Sequence, residues 1–225
     1  MHALGRWAQG ILVVMALLAS PMIAVAQPQT AAFPMPPGGG LQAGPLGLNV
    51  SSPSAGTGQF PAAIQIDAAS VDAEVEQNKI VDGAMLNPSG PWVVSWYEGT
   101  ARLGERSNSV MAGHLDYWGV GPAVFANLAN LHEGDEIRLT GTTGDVFTYQ
   151  VEWTRLYQLA ELNSGALKEI VGATPVSTLT LITCGGAFDS ATGQYLSRFV
   201  VRAKLSSVEH PTAREEGEFR SMVSS

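Results

Sequence analysis

The chain has 225 residues, 45% of them hydrophobic and 14% charged, with 5 Trp, 7 Phe and 5 Tyr. That is enough for one globular domain of roughly 150 residues plus accessory segments, and too apolar for disorder throughout. One cysteine excludes an intrachain disulfide framework and a Cys-rich zinc or iron–sulfur site, and 12 basic against 20 acidic residues, a net charge of -8 and no basic cluster argue against nucleic acid or polybasic membrane adhesion.

The charges are unevenly distributed. Arg6 is the only charged residue among the first 60, and the first acid is Asp67. His2 and Arg6 precede a continuous apolar run at residues 11–19, which Ser20 and Pro21 break. Ala24-Val-Ala26 then offers small residues at the spacing signal peptidase needs. Residues 1–26 therefore read as a secretory signal cleaved after Ala26. An uncleaved anchor is the rival, because residues 7–26 are about one bilayer thickness of mostly apolar helix. Either reading exports the main body, to the extracellular space or the cell envelope, with membrane attachment only through that anchor.

Residues 27–60 follow as a linker, 13 of these 34 positions being Pro or Gly. Such a composition cannot bury enough apolar surface to offset its ordering entropy. A tether through a cell-wall layer and a passive spacer fit it equally.

The folded body is expected over residues 61–206. Residues 62–66, 71–75, 92–96 and 109–113 are strand-like runs, the first two alternating. Residues 136–140 and 146–152 flank Gly141-Thr-Thr-Gly144, a hairpin whose glycines can take positive φ. Residues 177–183 and 199–205 are the last two strands. Residues 122–131 and 163–171 read as helical. The prediction is a mainly β body of seven or eight strands that closes into a barrel to remove its edges. After Ser206, residues 207–225 form a polar tail expected to fray.

Cys184 is the most informative residue. A lone thiol in an exported chain is an oxidation liability, tolerated if the side chain is buried or needed. Cys184 follows a β-branched run and precedes Gly185-Gly186, so it is expected at the rim of the fold, with glycine N–H groups free to face a substrate oxygen. A thiol nucleophile needs a proton donor for its leaving group. Of the four histidines, His2 lies in the leader and His210 in the tail. His132 sits where the first helix is expected to end and reads as a cap for its carbonyls. His114, in Gly113-His-Leu-Asp116 after an apolar strand, is a candidate catalytic base or a surface histidine. Arg198, among apolar neighbours, either pairs with a buried acid, faces a functional cleft or snorkels from an edge strand.

Thr180-Leu-Ile-Thr-Cys184 resembles the TLxTC signature of sortases, the cysteine transpeptidases of bacterial cell surfaces. His114 lies 70 residues earlier, and Arg198, in Leu196-Ser-Arg-Phe-Val-Val201, lies 14 later. The order His, Cys, Arg matches the sortase pattern across residues 61–205. Ala112-Gly-His-Leu-Asp116, Gly121-Pro-Ala-Val-Phe125, Leu131-His-Glu-Gly-Asp135 and Cys184-Gly-Gly-Ala-Phe-Asp189 resemble the class E/F branch. Class A members are usually signal-anchored, whereas the Ala-Val-Ala site here suggests release.

The resemblance implies a closed eight-stranded β-barrel with short helices. It implies that Cys184 attacks the Thr carbonyl of an LPxTG-type sorting motif on a surface protein, and that an amine such as a cell-wall peptide resolves the thioacyl-enzyme. His114 would protonate the leaving amine and deprotonate the incoming one, and Arg198 would act through fixed charge on the oxyanion or substrate backbone. Gly185 is a candidate second oxyanion donor, Thr183 a candidate orienting residue and Asp116 a candidate supporting partner. With ordinary imidazole and thiol values of about 6.5 and 8.5, the uncharged pair dominates at neutral pH and turnover is expected to be slow. No cofactor is implied. Glu133, Asp135 and Glu136 are too close in sequence to make a calcium site alone, so no metal requirement is expected. The expected state is a monomer.

Two other classes fit less well. An L,D-transpeptidase would place His close before Cys in a Ser-His-Gly-Cys context, but Ile182-Thr183 stand there. A non-catalytic exported β-module for adhesion or ligand binding would pack Cys184 inside. A hydrolase in which water replaces the amine is also open.

Overall fold

The structure is a computed structural model that describes residues 58–211. The N-terminal apolar segment, nearly all of the linker and most of the tail lie outside these residues. Eight strands make the body: β1 (Pro61–Ile66), β2 (Val71–Asn78), β3 (Val94–Tyr97), β4 (Asn108–Ala112), β5 (Glu136–Gly141), β6 (Val146–Gln158), β7 (Thr178–Asp189) and β8 (Gln194–Glu209). They close in the order β1-β2-β3-β4-β7-β8-β6-β5. β2/β3 and β4/β7 pair in parallel, and the other neighbours pair antiparallel. Closure leaves no barrel edge unpaired, which is what a body made almost entirely of strands requires.

Alternation along β7 and β8 divides the core in two. Leu179 and Leu181 of β7, and Val201 and Ala203 of β8, point into the barrel with Trp96, Met111 and Tyr149. Ile182 and Val200 point outward, yet they are as buried as the inner set. They pack with Val110, Tyr97 and Tyr157 beneath the one α-helix among the described residues, α1 (Ser164–Val171), which contributes Ile170. Burial on both faces explains why residues 177–183 read as a near-continuous β-branched run.

α1 is capped at both ends. The Asn163 side chain accepts from Gly165 N at 3.0 Å and Ala166 N at 3.1 Å, a cap worth about 1 kcal/mol. At the other end the barrel supplies the donors. Arg202 of β8 donates to Glu169 O at 2.6 Å and Ile170 O at 2.9 Å. Asn108 of β4 donates to Ile170 O at 3.0 Å and Gly172 O at 3.2 Å, and Thr180 of β7 to Ile170 O at 3.2 Å. Carbonyls that an α-helix leaves unpaired are met by three strands at once.

Several expectations from sequence are corrected. Residues 122–131 form no α-helix. Gly121–Pro122 pairs with Asp116–Tyr117 in a two-stranded hairpin, and only Leu128–Asn130 makes a 3-10 turn. Backbone pairing holds the start of the segment, Ala123 N donating to Leu115 O and Phe125 N to His114 O. Beyond it the Ala126, Leu128, Asn130 and Leu131 N–H groups bond three residues back and not four, which makes successive turns instead of an α-helix. With no helix there, His132 caps nothing; its backbone N–H instead donates to Asp135 Oδ2 at 2.8 Å in a turn. The third strand starts at Val94, not Trp92, which is exposed. The strand of Cys184 does not end in a glycine loop. β7 continues to Asp189, with an irregular register between Gly185 and Phe188 and Gly186 at φ 72°. β8 likewise runs on to Glu209, and His210 Nδ1 reaches Asp145 Oδ1 at 3.0 Å.

Candidate active site

Cys184, Thr183, His114 and Arg198 line one small cleft, together with Pro88 and Tyr97 and their neighbours. Register explains the convergence. β7 and β8 place Cys184 directly opposite Arg198. β4 and β7 are aligned up to Ala112 opposite Ile182, and Gly113 N donates to Ile182 O at 3.2 Å. Two residues further along the same register, His114 stands level with Cys184. The three side chains therefore form one row across three adjacent strands, about 4.8 Å apart per strand. All three project from the outer face of the barrel wall, just past the point where α1 stops covering it.

The row is held from behind. Thr183 points inward, buried, and its Oγ1 donates to Gly113 O at 2.9 Å, tying β7 to the residue before His114. Gly113 is a glycine because the Phe125 ring occupies the space of a side chain: a Cβ there would lie 2.6 Å from Phe125 Cδ2. At Gly185 a Cβ would fall 2.9 Å from Leu156 Cδ1, the mobile end of an exposed side chain, so the constraint there is weaker. Gly185 sits opposite Ser197, beside the cleft and not in its lining.

Arg198 is 3% exposed, and its guanidinium donates to the carbonyls of Tyr195 at 3.0 Å and Ser197 at 2.9 Å. Burial pushes the Cys184 thiol above its ordinary value; the Arg198 charge opposes this and the Asp116 carboxylate adds to it. Asp116 lies outside the cleft lining and accepts a short hydrogen bond from Tyr195 Oη at 2.5 Å. Its place beside the thiol, rather than on the imidazole, is a finding that residue spacing did not anticipate.

The imidazole of His114 has a different neighbour. Its Nε2 lies 3.2 Å from Pro88 O, and its ring meets Tyr117 edge-on at 5.3 Å. A carbonyl can only accept, so a hydrogen bond at this contact requires the hydrogen on Nε2. Sequence reasoning missed Pro88, Tyr97 and Asn87, which all line the cleft. Asn87-Pro-Ser89 is only a turn signal in the sequence, with nothing to mark which distant side chain its carbonyls serve.

Among the described residues no group of three or more His, Cys, Asp or Glu could hold a metal ion, and no helix is long and apolar enough to cross a membrane.

A closed eight-stranded barrel with a cysteine, a histidine and an arginine converging on one cleft defines a class of cysteine acyl-transfer folds. Comparison with known proteins agrees. The sortase domain family matches residues 64–206, so the chain belongs to the sortase family, whose members are cysteine transpeptidases acting on sorting-motif substrates and amine acceptors. The fold is that of solved sortases. Sortase A of Listeria monocytogenes superposes with a TM-score of 0.52 at 19% identity, over 72% of this chain and 97% of that one. Sortase A from Corynebacterium diphtheriae gives 0.51 at 19% identity, over 69% and 64%. Sortase C-1 from Actinomyces oris gives 0.51 at 21%, over 65% and 71%. A search among curated proteins returns no match.

Proposed function

We propose that this sortase cleaves an LPxTG-type sorting motif on exported surface proteins through a Cys184 thioacyl intermediate and passes the acyl group to an amine at the cell surface. The observation that carries the reading is the level row of His114, Cys184 and Arg198 on one face of three adjacent strands.

In this mechanism the Cys184 thiolate attacks the Thr carbonyl of the motif. The developing oxyanion lies toward the Arg198 guanidinium, which is positioned by two backbone carbonyls and keeps its charge throughout. His114 gives a proton from Nδ1 to the leaving amine, the carbon–nitrogen bond breaks, and the thioester remains. The incoming amine loses its proton to the now neutral Nδ1, and a new amide forms as the sulfur departs. Burial of the thiol keeps most of the sulfur protonated at neutral pH. The productive state, thiolate beside imidazolium, is then a minority, and turnover is slow. The expected kcat/KM profile falls on both sides; a profile flat from about pH 5 to 10 contradicts it.

The motifs around His114 and Cys184 support placement in the class E/F branch, and the apolar N-terminal segment supports export, either released or anchored. The test is incubation with a library of LxxTx peptides and an amine, read by mass spectrometry, with Cys184→Ala as control. Ligated product from the wild type alone supports the reading. Hydrolysed product alone assigns a hydrolase, and no Cys184-dependent product removes the proposal.

A further inference from the structure

Residues 86–89, between the short hairpin of Ile80–Val81 with Ala84–Met85 and β3, carry a set of fixed polar contacts outside the catalytic row. Tyr97 Oη donates to Leu86 O at 2.7 Å, and Asn78 Nδ2 to Asn87 O at 2.9 Å. Glu76 of β2 then takes both donors of the next residue: Oε1 accepts from Ser89 N at 2.9 Å, and Oε2 from Ser89 Oγ at 2.7 Å. Ser95 Oγ, from buried Ser95 of β3, adds a third bond to Oε1 at 2.7 Å.

The Ser89 N–H and the Pro88 C=O belong to one peptide group. Its nitrogen side is bound by a carboxylate, and its oxygen side accepts from His114 Nε2 at 3.2 Å. We propose that Glu76 is a positioning residue for His114, acting through the Pro88–Ser89 peptide group to hold the Nε2–H tautomer and to stabilise the imidazolium. The physical reason is cooperative polarisation: a carboxylate on the N–H increases the negative charge on the carbonyl oxygen at the other end of the same peptide. An acid bonded directly to the imidazole does the same work in a Ser-His-Asp triad. Here the acid is one peptide group further away, and the proton-exchanging atom becomes Nδ1.

The charge balance at Glu76 agrees with this. Burial raises its carboxyl, but the Ser89 and Ser95 hydrogen bonds and the charge of His114 outweigh it, so the carboxyl stays below its usual value. Other charged or titratable groups meet His114 as well. Tyr117 lies edge-on to its ring, Tyr97 of β3 lines the same cleft, and Cys184 and Arg198 stand level with it on β7 and β8. Asp116 is two residues on along its own segment, its carboxylate turned to Tyr195. Glu76 reaches the imidazole through a continuous hydrogen-bonded path, by way of the Pro88–Ser89 peptide group.

The role in proton transfer rests on the sortase reading above, so the test is read by NMR on the full chain without substrate as well as by kinetics. In the wild type, imidazole nitrogen shifts of His114 should show the Nε2–H tautomer; an Nδ1–H tautomer overturns the proposal, whatever the enzyme does. Glu76→Gln keeps the shape and can still accept from Ser89 N, but removes the charge. It should lower the His114 titration midpoint, and the acidic limb of kcat/KM should move with it. kcat should fall about threefold, with KM little changed. Glu76→Asp should recover most of the midpoint. A midpoint unchanged in Glu76→Gln overturns the proposal, and a matched fall in kcat with no shift in midpoint also does so. If Glu76→Gln does not fold, the wild-type tautomer decides alone.

Discussion

Arg198 and Arg202 stand four residues apart on the same face of the same strand, and both are almost fully buried, at 3% and 6% exposure. Each shares its level with a side chain of β7, Cys184 or Thr180. β4 supplies a third partner at each end, Asn108 near Arg202 and the residue just beyond the strand, His114, near Arg198. At the Arg202 end the partners are carbonyls at the C-terminus of α1, and the donors of Asn108, Thr180 and Arg202 converge on Ile170 O. At the Arg198 end the side chains of the same three strands open into the cleft. The difference lies in what covers each end. One wall of the barrel thus carries a structural polar cluster and a chemical one, with the apolar pair Ile182 and Val200 between Arg202 and Arg198.

The largest test of this contrast is Cys184→Ala. Transpeptidation should fall at least a thousandfold, to background, because the covalent route is lost. The melting temperature should stay within a change equivalent to about 1 kcal/mol, since the side chain is half-buried and small. A peptide ligation assay and a thermal melt on the same preparation check both halves.

The arginines should separate next. Arg198→Lys keeps a positive charge but loses the planar fork, and should reduce kcat/KM about a hundredfold with a smaller effect on stability. Arg202→Met should do the reverse. It removes charged donors from Glu169 O and Ile170 O and should cost about 2–3 kcal/mol of stability. Its specific activity, measured well below the melting temperature, should remain close to wild type. If both variants lose activity and neither loses stability, the division of the wall into two clusters is wrong. A weaker probe of the structural end is Thr180→Val, which fills the same space but drops bonds to Asn108 Oδ1 at 2.8 Å and Ile170 O, at a cost of about 1–2 kcal/mol.

The same contrast explains what could be read from sequence. Barrel strands and α1 were legible because alternation, turn glycines and the Asn163 cap are local signals. The helical reading of residues 122–131 failed because Phe125 is placed by its backbone bond to His114 O and by its ring over Gly113, neither of which leaves a periodic trace. Cys184, His114 and Arg198 were legible as a set through a family-like motif and order, while Arg198 alone was not, since Arg202 has the same local surroundings. Thr183 Oγ1 ties β7 to Gly113, the residue before His114, a long-range bond that the sequence does not display. Pro88 and Glu76 were invisible. One acts through a backbone carbonyl that every residue type carries, and the other alternates along β2 like any half-exposed acid.

The smallest expected effect concerns Asp116, which adjoins the chemical cluster without lining the cleft. Its negative charge adds to the upward shift that burial imposes on the Cys184 thiol. Asp116→Asn keeps an oxygen to accept from Tyr195 Oη and removes the charge. The thiol should therefore ionise at lower pH. The sign is fixed: with the carboxylate gone, less work is needed to create the thiolate beside Arg198. The midpoint of the alkylation rate of Cys184 against pH should move down, and the alkaline limb of kcat/KM should move with it. Where thiolate and imidazolium together are a minority, a lower thiol midpoint enlarges their share, so kcat/KM near neutrality should rise slightly. A midpoint that moves upward would mean that Asp116 acts on the sulfur through the position of Tyr195 and not through its charge.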